Sequence, residues 1–474
     1  MGDFALTHGQ QKAYDELKAF LLNKDIKVFV LKGYAGTGKT TLMRLFISEM
    51  QSQKKNFTLL ASTGRAAKIL ANATGCETRT IHGEIYKFSD LNQNIESVVQ
   101  EREKTNVDNS GPLLLNFELT PIDTGDSERI YIVDEASMIS DAIDKNSTQA
   151  LFGSGKLLED LFKYDNSGKF IFVGDICQLP PITQSVSPAL SVSYIKDNYN
   201  YSCCEAELTE VVRQSADVDI VRSAHKIRNL YYNPQPWKWA KFPFRGYKDI
   251  HIVNSQLSLI SEYIKHVNEY GFNDTTMLCY SNRQCDSATQ LLRPSFGHVS
   301  NQLEKGDLLL VTQNNLISGL MNGDLVVVDE VIVQEKRAGL TFLKVTVREL
   351  FTKRSFSQLL IAEILYSNQT NLTQSQQKEL FIDFYYRMRE KNVKQKTQQF
   401  NKHMLEDPYL NALRAVFGYA LTCHKAQGGE WNYVFLDIPS TVSALPKPYV
   451  YQWIYTAMTR AKKGLFVVDN FWVV

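Results

Sequence analysis

Residues 33–40 read Gly-Tyr-Ala-Gly-Thr-Gly-Lys-Thr, and the apolar run Val-Phe-Val-Leu at 28–31 lies just before them. The spacing Gly-x4-Gly-Lys-Thr is typical of a loop whose backbone N–H groups surround the phosphates of a nucleotide. A helical pattern of apolar residues follows over 42–50, so the loop joins a buried strand to a helix. This context predicts a nucleoside triphosphate site and argues against a glycine-rich turn that binds nothing.

The loop predicts a nucleoside triphosphate and Mg²⁺ as cofactors. Glycines permit the backbone angles that the loop needs, Lys39 places a positive charge at the phosphates, and the Thr40 hydroxyl is a candidate Mg²⁺ ligand. The nucleotide-contacting set predicted in this stretch is Gly33, Gly36, Thr37, Gly38, Lys39, Thr40 and Thr41.

Composition describes a globular protein of several units. A chain of 474 residues is too long for one ordinary core, and about three or four domain-sized units are expected. No uninterrupted apolar run of about 18 residues predicts a membrane span. The N-terminus lacks the order of a secretory signal, and seven cysteines without a Cys-x2-Cys pair suggest reduced thiols. We therefore expect a cytoplasmic protein of bacterial or phage type.

Apolar runs alternate with helical patterns, which predicts parallel α/β sheets. The strand candidates in the first part of the chain are 28–31, 57–61, 130–133 and 170–173. A second α/β region has strand candidates at 275–280, 432–437 and 464–468.

Two stretches break this rhythm and are predicted to be inserted subdomains. The first is polar and loop-rich, whereas the second begins with short antiparallel strands over 305–366 and continues with a polar helical segment over 373–412. The predicted division is 1–82 with 128–214 for the first α/β domain, 83–127 for its insert, 215–298 with 412–474 for the second α/β domain, and 299–411 for its insert.

Acidic and amide side chains follow two of the predicted strands. Asp134 can hold Mg²⁺ at the end of its strand, and Glu135 is then placed to orient and activate water. Gln178 follows the next strand and can hydrogen-bond the γ-phosphate or the attacking water. The alternatives are a solvated strand end for the acids and a proline-terminated turn for Gln178.

Two arginines are candidates for neutralising charge in the transition state. An arginine supplied by another domain makes hydrolysis depend on domain closure. Arg213 and Arg460 are singled out by the motifs around them, since an isolated arginine is usually a surface charge.

Taken in order, these motifs resemble those of the superfamily 1B helicases, in the RecD/Dda-like group of 5′→3′ DNA helicases. The matching stretches are Gly33–Thr40, Ala61–Lys68, Thr80–His82, Asp134–Met138, Gly174–Pro181, Leu208–Gln214, His424–Trp431 and Tyr455–Ala461. The resemblance runs from about Leu6 to the C-terminus and is weaker over 83–127 and 330–410. It implies two RecA-like domains, a small insert called 1B in the first, and an SH3-like β-barrel insert called 2B in the second.

The resemblance also implies that the nucleotide is ATP, and it assigns roles residue by residue. Gln10 would contact the adenine edge, and Gly428 and Glu430 would couple the strand to the nucleotide. The implied single-strand contacts are Thr63, Arg65 and His82 in the first domain and Thr422, His424 and Lys425 in the second. Ser62 departs from the family, which usually has proline there.

In this family the first insert carries a strand-separating pin, and Phe88 and Phe117 are the candidates for it. Either phenylalanine can instead be core of the insert. Trp431 can stack on a base or pack in the core. Lysines and arginines over 385–402 can contact nucleic acid or form a solvated helix face.

The function implied is ATP-driven 5′→3′ translocation on single-stranded DNA with duplex unwinding, and the polarity rests on the resemblance alone. An RNA-acting helicase and a non-unwinding P-loop ATPase subunit remain as alternatives. The expected partners are single-stranded DNA and its junctions with duplex, and the candidate protein partners are single-strand-binding, replication or recombination proteins. We expect a monomer and no membrane contact.

Overall fold

The computed structural model describes most of the chain and carries side chains. The described residues are 6–105, 111–122, 129–143, 150–182, 184–212, 218–367 and 369–474.

Helices and strands alternate along much of the chain. The helices are α1 His8–Leu22, α2 Lys39–Ser52, α3 Gly64–Thr74, α4 Ile81–Ile85, α5 Ile95–Thr105, α6 Leu157–Tyr164, α7 Val192–Tyr199, α8 Val218–Tyr232, α9 Gln256–Tyr270, α10 Asn282–Ser295, α11 Ala362–Tyr366, α12 Gln374–Glu390, α13 Gln398–Glu406 and α14 Tyr449–Met458. The strands are β1 Val28–Gly33, β2 Phe57–Ala61, β3 Thr78–Thr80, β4 Tyr86–Leu91, β5 Leu115–Leu119, β6 Ile130–Asp134, β7 Ala150–Phe152, β8 Lys169–Gly174, β9 Cys203–Leu208, β10 Ile250–Val253, β11 Thr275–Cys279, β12 Leu308–Val311, β13 Leu325–Arg337, β14 Leu340–Glu349, β15 Ser355–Ile361, β16 Ala415–Phe417, β17 Leu421–Thr422, β18 Trp431–Asp437 and β19 Ala461–Val468.

The first α/β domain is built on a parallel sheet in the order β3-β2-β6-β8-β1-β9. Strand β1 is central and buried on both faces: Phe29 and Leu31 face one core, and Val28 and Val30 face the other. This alternation explains why β1 is apolar throughout. Because parallel strands end at the same edge, β1, β6 and β8 bring their following loops together.

The second α/β domain has a parallel sheet in the order β10-β19-β18-β11-β17. All seven strand candidates of the sequence analysis lie in strands of these two sheets, so the predicted fold class is confirmed. Strand β17 is only two residues long, and it leads directly into the segment 423–430.

The second insert begins with an antiparallel sheet in the order β15-β14-β13-β12-β16. A bridge between Leu360 and Leu413 joins the two ends of this sheet, which closes it around an aliphatic core. The predicted antiparallel strands and the helical segment after them are both present, the latter as α12 and α13. Strand β16 pairs in this sheet, although it lies beyond the predicted boundary at 412.

The first insert forms a small sheet in the order β4-β5-β7, and β7 joins it from beyond residue 127. One face of its helix α5 is buried. Ile95, Val98 and Val99 pack in one hydrophobic core with residues of α12 and α13. The two inserts therefore share a core, which the sequence did not predict.

Polar contacts join the inserts at the rim of this core. Arg102 forms an ion pair with Glu379 at 2.6 Å, and the Ile95 N–H donates to Gln395 Oε1 at 2.9 Å. The Asn401 side-chain amide donates to the Ser89 carbonyl oxygen at 2.8 Å.

Within the described part of the chain, no helix combines the length and the apolar character needed to cross a membrane.

Substitution Ile95→Ala tests whether the inserts form one unit. Ile95 is fully buried, and removing a buried isoleucine side chain costs about 2–5 kcal/mol. We expect a loss of this size in the free energy of unfolding of the unit that contains both inserts, measured by urea denaturation. The exposed neighbour substitution Ser97→Ala should change it by less than about 0.5 kcal/mol. A loss at Ile95 no larger than that at Ser97 would contradict the shared core.

A candidate nucleotide-binding cleft between two α/β domains

The loop at 33–40 connects β1 to α2 and has the conformation of a phosphate cradle. Gly36 and Gly38 have φ angles of 79° and 78°, in the left-handed region that favours glycine. A Cβ at Gly38 would lie 2.4 Å from Gln10 Nε2, so no side chain fits there. No side chain caps α2, which leaves its first N–H groups free to bind an anion. Lys39 Nζ donates to the carbonyl oxygens of Gly33 at 2.6 Å and Tyr34 at 3.1 Å.

Gln10 ties the first helix to this loop. It closes the capping box of α1: its Oε1 accepts from the Thr7 N–H at 3.1 Å, and its own N–H donates to the Thr7 hydroxyl at 3.3 Å. Its Nε2 donates to the Thr37 carbonyl oxygen at 3.0 Å. Gln10 borders the cleft. Its contact with an adenine remains a prediction, in which the second N–H of the side-chain amide would donate to the base.

Two carboxylates lie at the end of β6, across the cleft from Lys39. Asp134 Oδ1 accepts from the Glu135 N–H at 2.9 Å. Glu135 has φ 50° and ψ 40°, a strained conformation for a residue with a side chain and one that clusters at functional sites. Burial raises the pKa of Asp134, and burial together with the Asp134 charge raises the pKa of Glu135 to about 7. This donor set fits a divalent cation and a base.

The loop after β8 contributes Asp175 and Gln178. Asp175 is fully buried, and burial raises the pKa of its carboxyl group. One oxygen of that carboxylate accepts from the Cys177 N–H at 2.9 Å. Gln178 Oε1 is buried and has no hydrogen-bond partner among the described residues. A buried unpaired acceptor in the cleft fits a ligand or water that donates to it.

The second domain supplies the facing side of the cleft. Arg460 is buried: its Nε donates to the Thr456 carbonyl oxygen and its Nη1 to the Gly429 carbonyl oxygen, each at 3.1 Å. Gly428 has φ 74°, and a Cβ there would lie 3.3 Å from the Thr63 hydroxyl of the first domain. Glu430 forms an ion pair with Lys462 at 3.2 Å. Together the two domains enclose a cleft of about 960 Å³.

Arg65 lies at this cleft, although the resemblance assigns it to the single strand. Its guanidinium carbon lies 4.1 Å from the ring centroid of Trp431, and it borders the same cleft as Lys39 and Arg460. Burial lowers the pKa of Arg65 to about 10. Trp431 is fully buried, so it packs in the core instead of presenting its ring to a base.

The other candidate strand contacts are divided between the domains. The Thr63 hydroxyl caps α3 by accepting from the Ala66 N–H at 3.2 Å. His82 packs against Phe152 with ring centroids 5.1 Å apart, and burial lowers its pKa to about 4. Its imidazole is therefore neutral at neutral pH.

Thr422, His424 and Lys425 lie together at the end of β17. Thr422 is buried, and burial lowers the pKa values of His424 and Lys425. His82, by contrast, packs against Phe152 in the sheet of the first insert.

The remaining predicted residues are Arg213 and the two pin candidates. Arg213 lies outside the described residues. Phe88 and Phe117 face each other across β4 and β5, with ring centroids 5.7 Å apart. Phe117 also stacks on Phe152 at 4.7 Å, so both pin candidates are half-buried between the cores of the insert and the first domain.

Several residues on α14 that the sequence analysis did not single out contact the first domain. Gln452 Nε2 donates to the Gln178 carbonyl oxygen at 3.2 Å, and the Thr456 hydroxyl accepts from the Leu179 N–H at 2.8 Å. Tyr455 hydrogen-bonds both the phosphate loop and Asp175. These residues are spaced three and four apart on an otherwise apolar helix, so their polar groups lie on one face. This spacing is visible in the sequence and could have indicated a polar contact on that face.

Comparison with known proteins identifies related sequences at both ends of the chain. The family described as AAA domain matches residues 5–230, and the family described as UvrD-like helicase C-terminal domain matches residues 417–468. The matched segments contain the two sides of the cleft.

Three curated relatives match most of the chain at low identity. The ATP-dependent RecD2 DNA helicase of Deinococcus radiodurans is 24% identical over 470 residues, covering 98% of this chain and 50% of that protein. The ATP-dependent DNA helicase dda of Enterobacteria phage T4 is 25% identical over 313 residues, covering 65% of this chain and 61% of that protein. An uncharacterised protein of Acanthamoeba polyphaga mimivirus is 23% identical, covering 97% of this chain and 99% of its own length.

The chain thus spans half the length of RecD2 and about three-fifths of that of dda. A more distant likeness is to the crystal structure of a Pif1 helicase from Bacteroides in complex with ADP-AlF3 and ssDNA. It covers 99% of this chain and 93% of that one, with 17% identity and a TM-score of 0.49.

Both family matches and the two named helicase relatives are consistent with the superfamily 1B helicases, the family that the order of the sequence motifs resembles.

Proposed function

We propose that this protein is an ATP-driven DNA helicase that moves 5′→3′ on single-stranded DNA and separates duplex ahead of it. The observation that carries the proposal is one cleft that receives charged side chains from two α/β domains. Lys39 and Glu135 come from the first domain, and Arg460 comes from the second. A site divided in this way makes hydrolysis depend on how the domains are arranged.

The first domain holds the nucleotide and carries out the proton transfer. The N–H groups at the start of α2 and the Lys39 ammonium group bind the phosphates, which replace the carbonyl partners of Lys39. Thr40 and Asp134 would hold Mg²⁺, which supplies positive charge at the phosphates when bound. Glu135 accepts a proton from the attacking water, and Gln178 orients that water.

The second domain completes the site when the cleft closes. Arg460 leaves the carbonyl oxygens of Thr456 and Gly429 and moves onto the γ-phosphate, where it neutralises charge in the transition state. Loss of the γ-phosphate removes that attraction, and the cleft opens again. Arg213 is proposed for a second contact of this kind, as the family resemblance implies.

The single strand runs across both domains in this proposal. The proposed contacts are Thr63, Arg65 and His82 in the first domain and Thr422, His424 and Lys425 in the second. Thr63 lies against Gly428 of the opposite domain, so a strand held at Thr63 senses the state of the cleft. His82 is neutral, and it contacts the strand by hydrogen bonding or stacking.

DNA is favoured over RNA because the two relatives named for their activity are DNA helicases. Comparing the stimulation of ATP hydrolysis by single-stranded DNA and by RNA separates these substrates. A non-unwinding ATPase subunit, the remaining alternative, would hydrolyse ATP without separating strands.

Unwinding of tailed duplexes tests the proposal directly. We expect strand separation of a duplex with a 5′ single-stranded tail and none with a 3′ tail, measured by fluorescence of a labelled strand. Lys39→Ala should lower the rate of ATP hydrolysis by at least about 100-fold, since it removes a charge aimed at the phosphates. Unwinding restricted to 3′ tails would contradict the polarity, and normal hydrolysis by Lys39→Ala would contradict the site.

The pin candidates predict a separation of unwinding from hydrolysis. At least one of the variants Phe88→Ala and Phe117→Ala should unwind duplex several-fold more slowly than the wild type. Its DNA-stimulated ATP hydrolysis should be unchanged. Phe471→Ala provides a matched control, because Phe471 is half-exposed at the far end of the chain. If both variants unwind as fast as the control, neither phenylalanine is the pin.

A further inference from the structure

Tyr455 connects two parts of the first domain from a helix of the second. It is almost fully buried on α14. Its hydroxyl accepts a hydrogen bond from the Ala35 N–H at 2.9 Å and donates one to Asp175 Oδ2 at 2.7 Å. Ala35 belongs to the phosphate loop after β1, whereas Asp175 follows β8.

The bond to Asp175 is the stronger of the two, because its acceptor is a carboxylate buried away from water. The other hydrogen bond shown for this carboxylate comes from the Cys177 N–H within its own turn. The Tyr455 hydroxyl thus links the Asp175 carboxylate to a residue outside its own turn. A phenol has one proton to donate and lone pairs to accept, so both bonds form at once.

The second domain also holds the residue before Ala35. The guanidinium carbon of Arg228, on α8, lies 3.9 Å from the ring centroid of Tyr34. The hydroxyl groups of Tyr34 and Tyr232 are 3.1 Å apart. Two consecutive residues of the phosphate loop therefore contact two different helices of the opposite domain, and the Tyr34 hydroxyl also hydrogen-bonds Glu207 of its own domain.

Before a nucleotide binds, these contacts also reach Lys39 through the backbone. Lys39 Nζ donates to the carbonyl oxygen of Tyr34, whose peptide bond also contains the Ala35 N–H. A shift of that peptide plane moves an acceptor of Lys39 and the donor to Tyr455 together.

We propose that Tyr455 is a positioning residue for ATP hydrolysis, which sets the shape of the phosphate loop around Ala35 according to the position of the second domain. The proposal rests on the proposed function. It adds to Arg460 a second route between the domains, and this route acts through a neutral hydroxyl on the loop itself. Asp175 anchors the hydroxyl, and the Arg228 and Tyr232 contacts hold the neighbouring residue.

Tyr455→Phe removes the hydroxyl and keeps the ring. We expect kcat for DNA-stimulated ATP hydrolysis to fall about tenfold, because the Ala35 N–H loses the acceptor that positions the loop and Asp175 loses a buried donor. The KM for ATP should change by less than about threefold, because Lys39 and the start of α2 still bind the phosphates.

Tyr263→Phe is the matched control. Tyr263 is equally buried, and its hydroxyl donates to the Tyr419 carbonyl oxygen at 2.8 Å entirely within the second domain and its insert. This variant loses a comparable buried hydrogen bond without touching the loop, so its kcat should stay close to that of the wild type. Melting temperatures of both variants report whether the loss is one of folding.

The outcomes separate the inference from the function on which it rests. A kcat loss in Tyr455→Phe alone, at unchanged KM and with a melting temperature equal to that of Tyr263→Phe, supports it. Equal kcat values for the two variants, or a loss in Tyr455→Phe that follows a lowered melting temperature, overturn the inference while the helicase proposal stands. A wild-type protein without DNA-stimulated hydrolysis overturns the proposed function and this inference with it.

Discussion

The rest of the structure depends on the contact between α14 and the loops that follow β1 and β8. A hydroxyl, an amide and a phenol of α14 hydrogen-bond backbone groups of these loops at 2.8–3.2 Å, and Tyr34, Cys177 and Leu179 of the loops pack in the hydrophobic core of the second domain. Gln427 adds to this set by donating to the Leu179 carbonyl oxygen. Such bonds each contribute about 1 kcal/mol net, because water replaces them when the contact opens. An interface of this kind holds two domains together and still allows them to separate.

The shared core of the two inserts adds a second connection, of a different physical kind. It is apolar and continuous, so separating the inserts would expose buried aliphatic and aromatic side chains to water. Helix α3 of the first domain is also tied to the second insert, since Lys68 forms ion pairs with Asp324 at 2.7 Å and Glu349 at 3.1 Å. The first domain is therefore connected to the second half of the chain both at α14 and through the inserts.

The sequence predicted the two α/β sheets because buried parallel strands are continuous apolar runs, which are visible without any tertiary information. Asp134 and Glu135 were predictable for the same reason, since they end such a run. Neither the pairing of β16 with β12 nor that of β7 with β5 was predictable, because β16 and β7 are each three residues long and their partners are distant in the chain. The contacts of Arg65 and Tyr455 were not predictable, because they depend on how close the domains come.

The account's central claim is that the nucleotide site is shared by the two domains. The most direct measurement is the rate of DNA-stimulated ATP hydrolysis by Arg460→Ala, beside Lys463→Ala as an exposed control on the same segment. A shared site predicts a loss of about 1000-fold or more in kcat for Arg460→Ala, with nucleotide still bound by the first domain, and no loss for the control. Hydrolysis by Arg460→Ala at the wild-type rate would contradict the account.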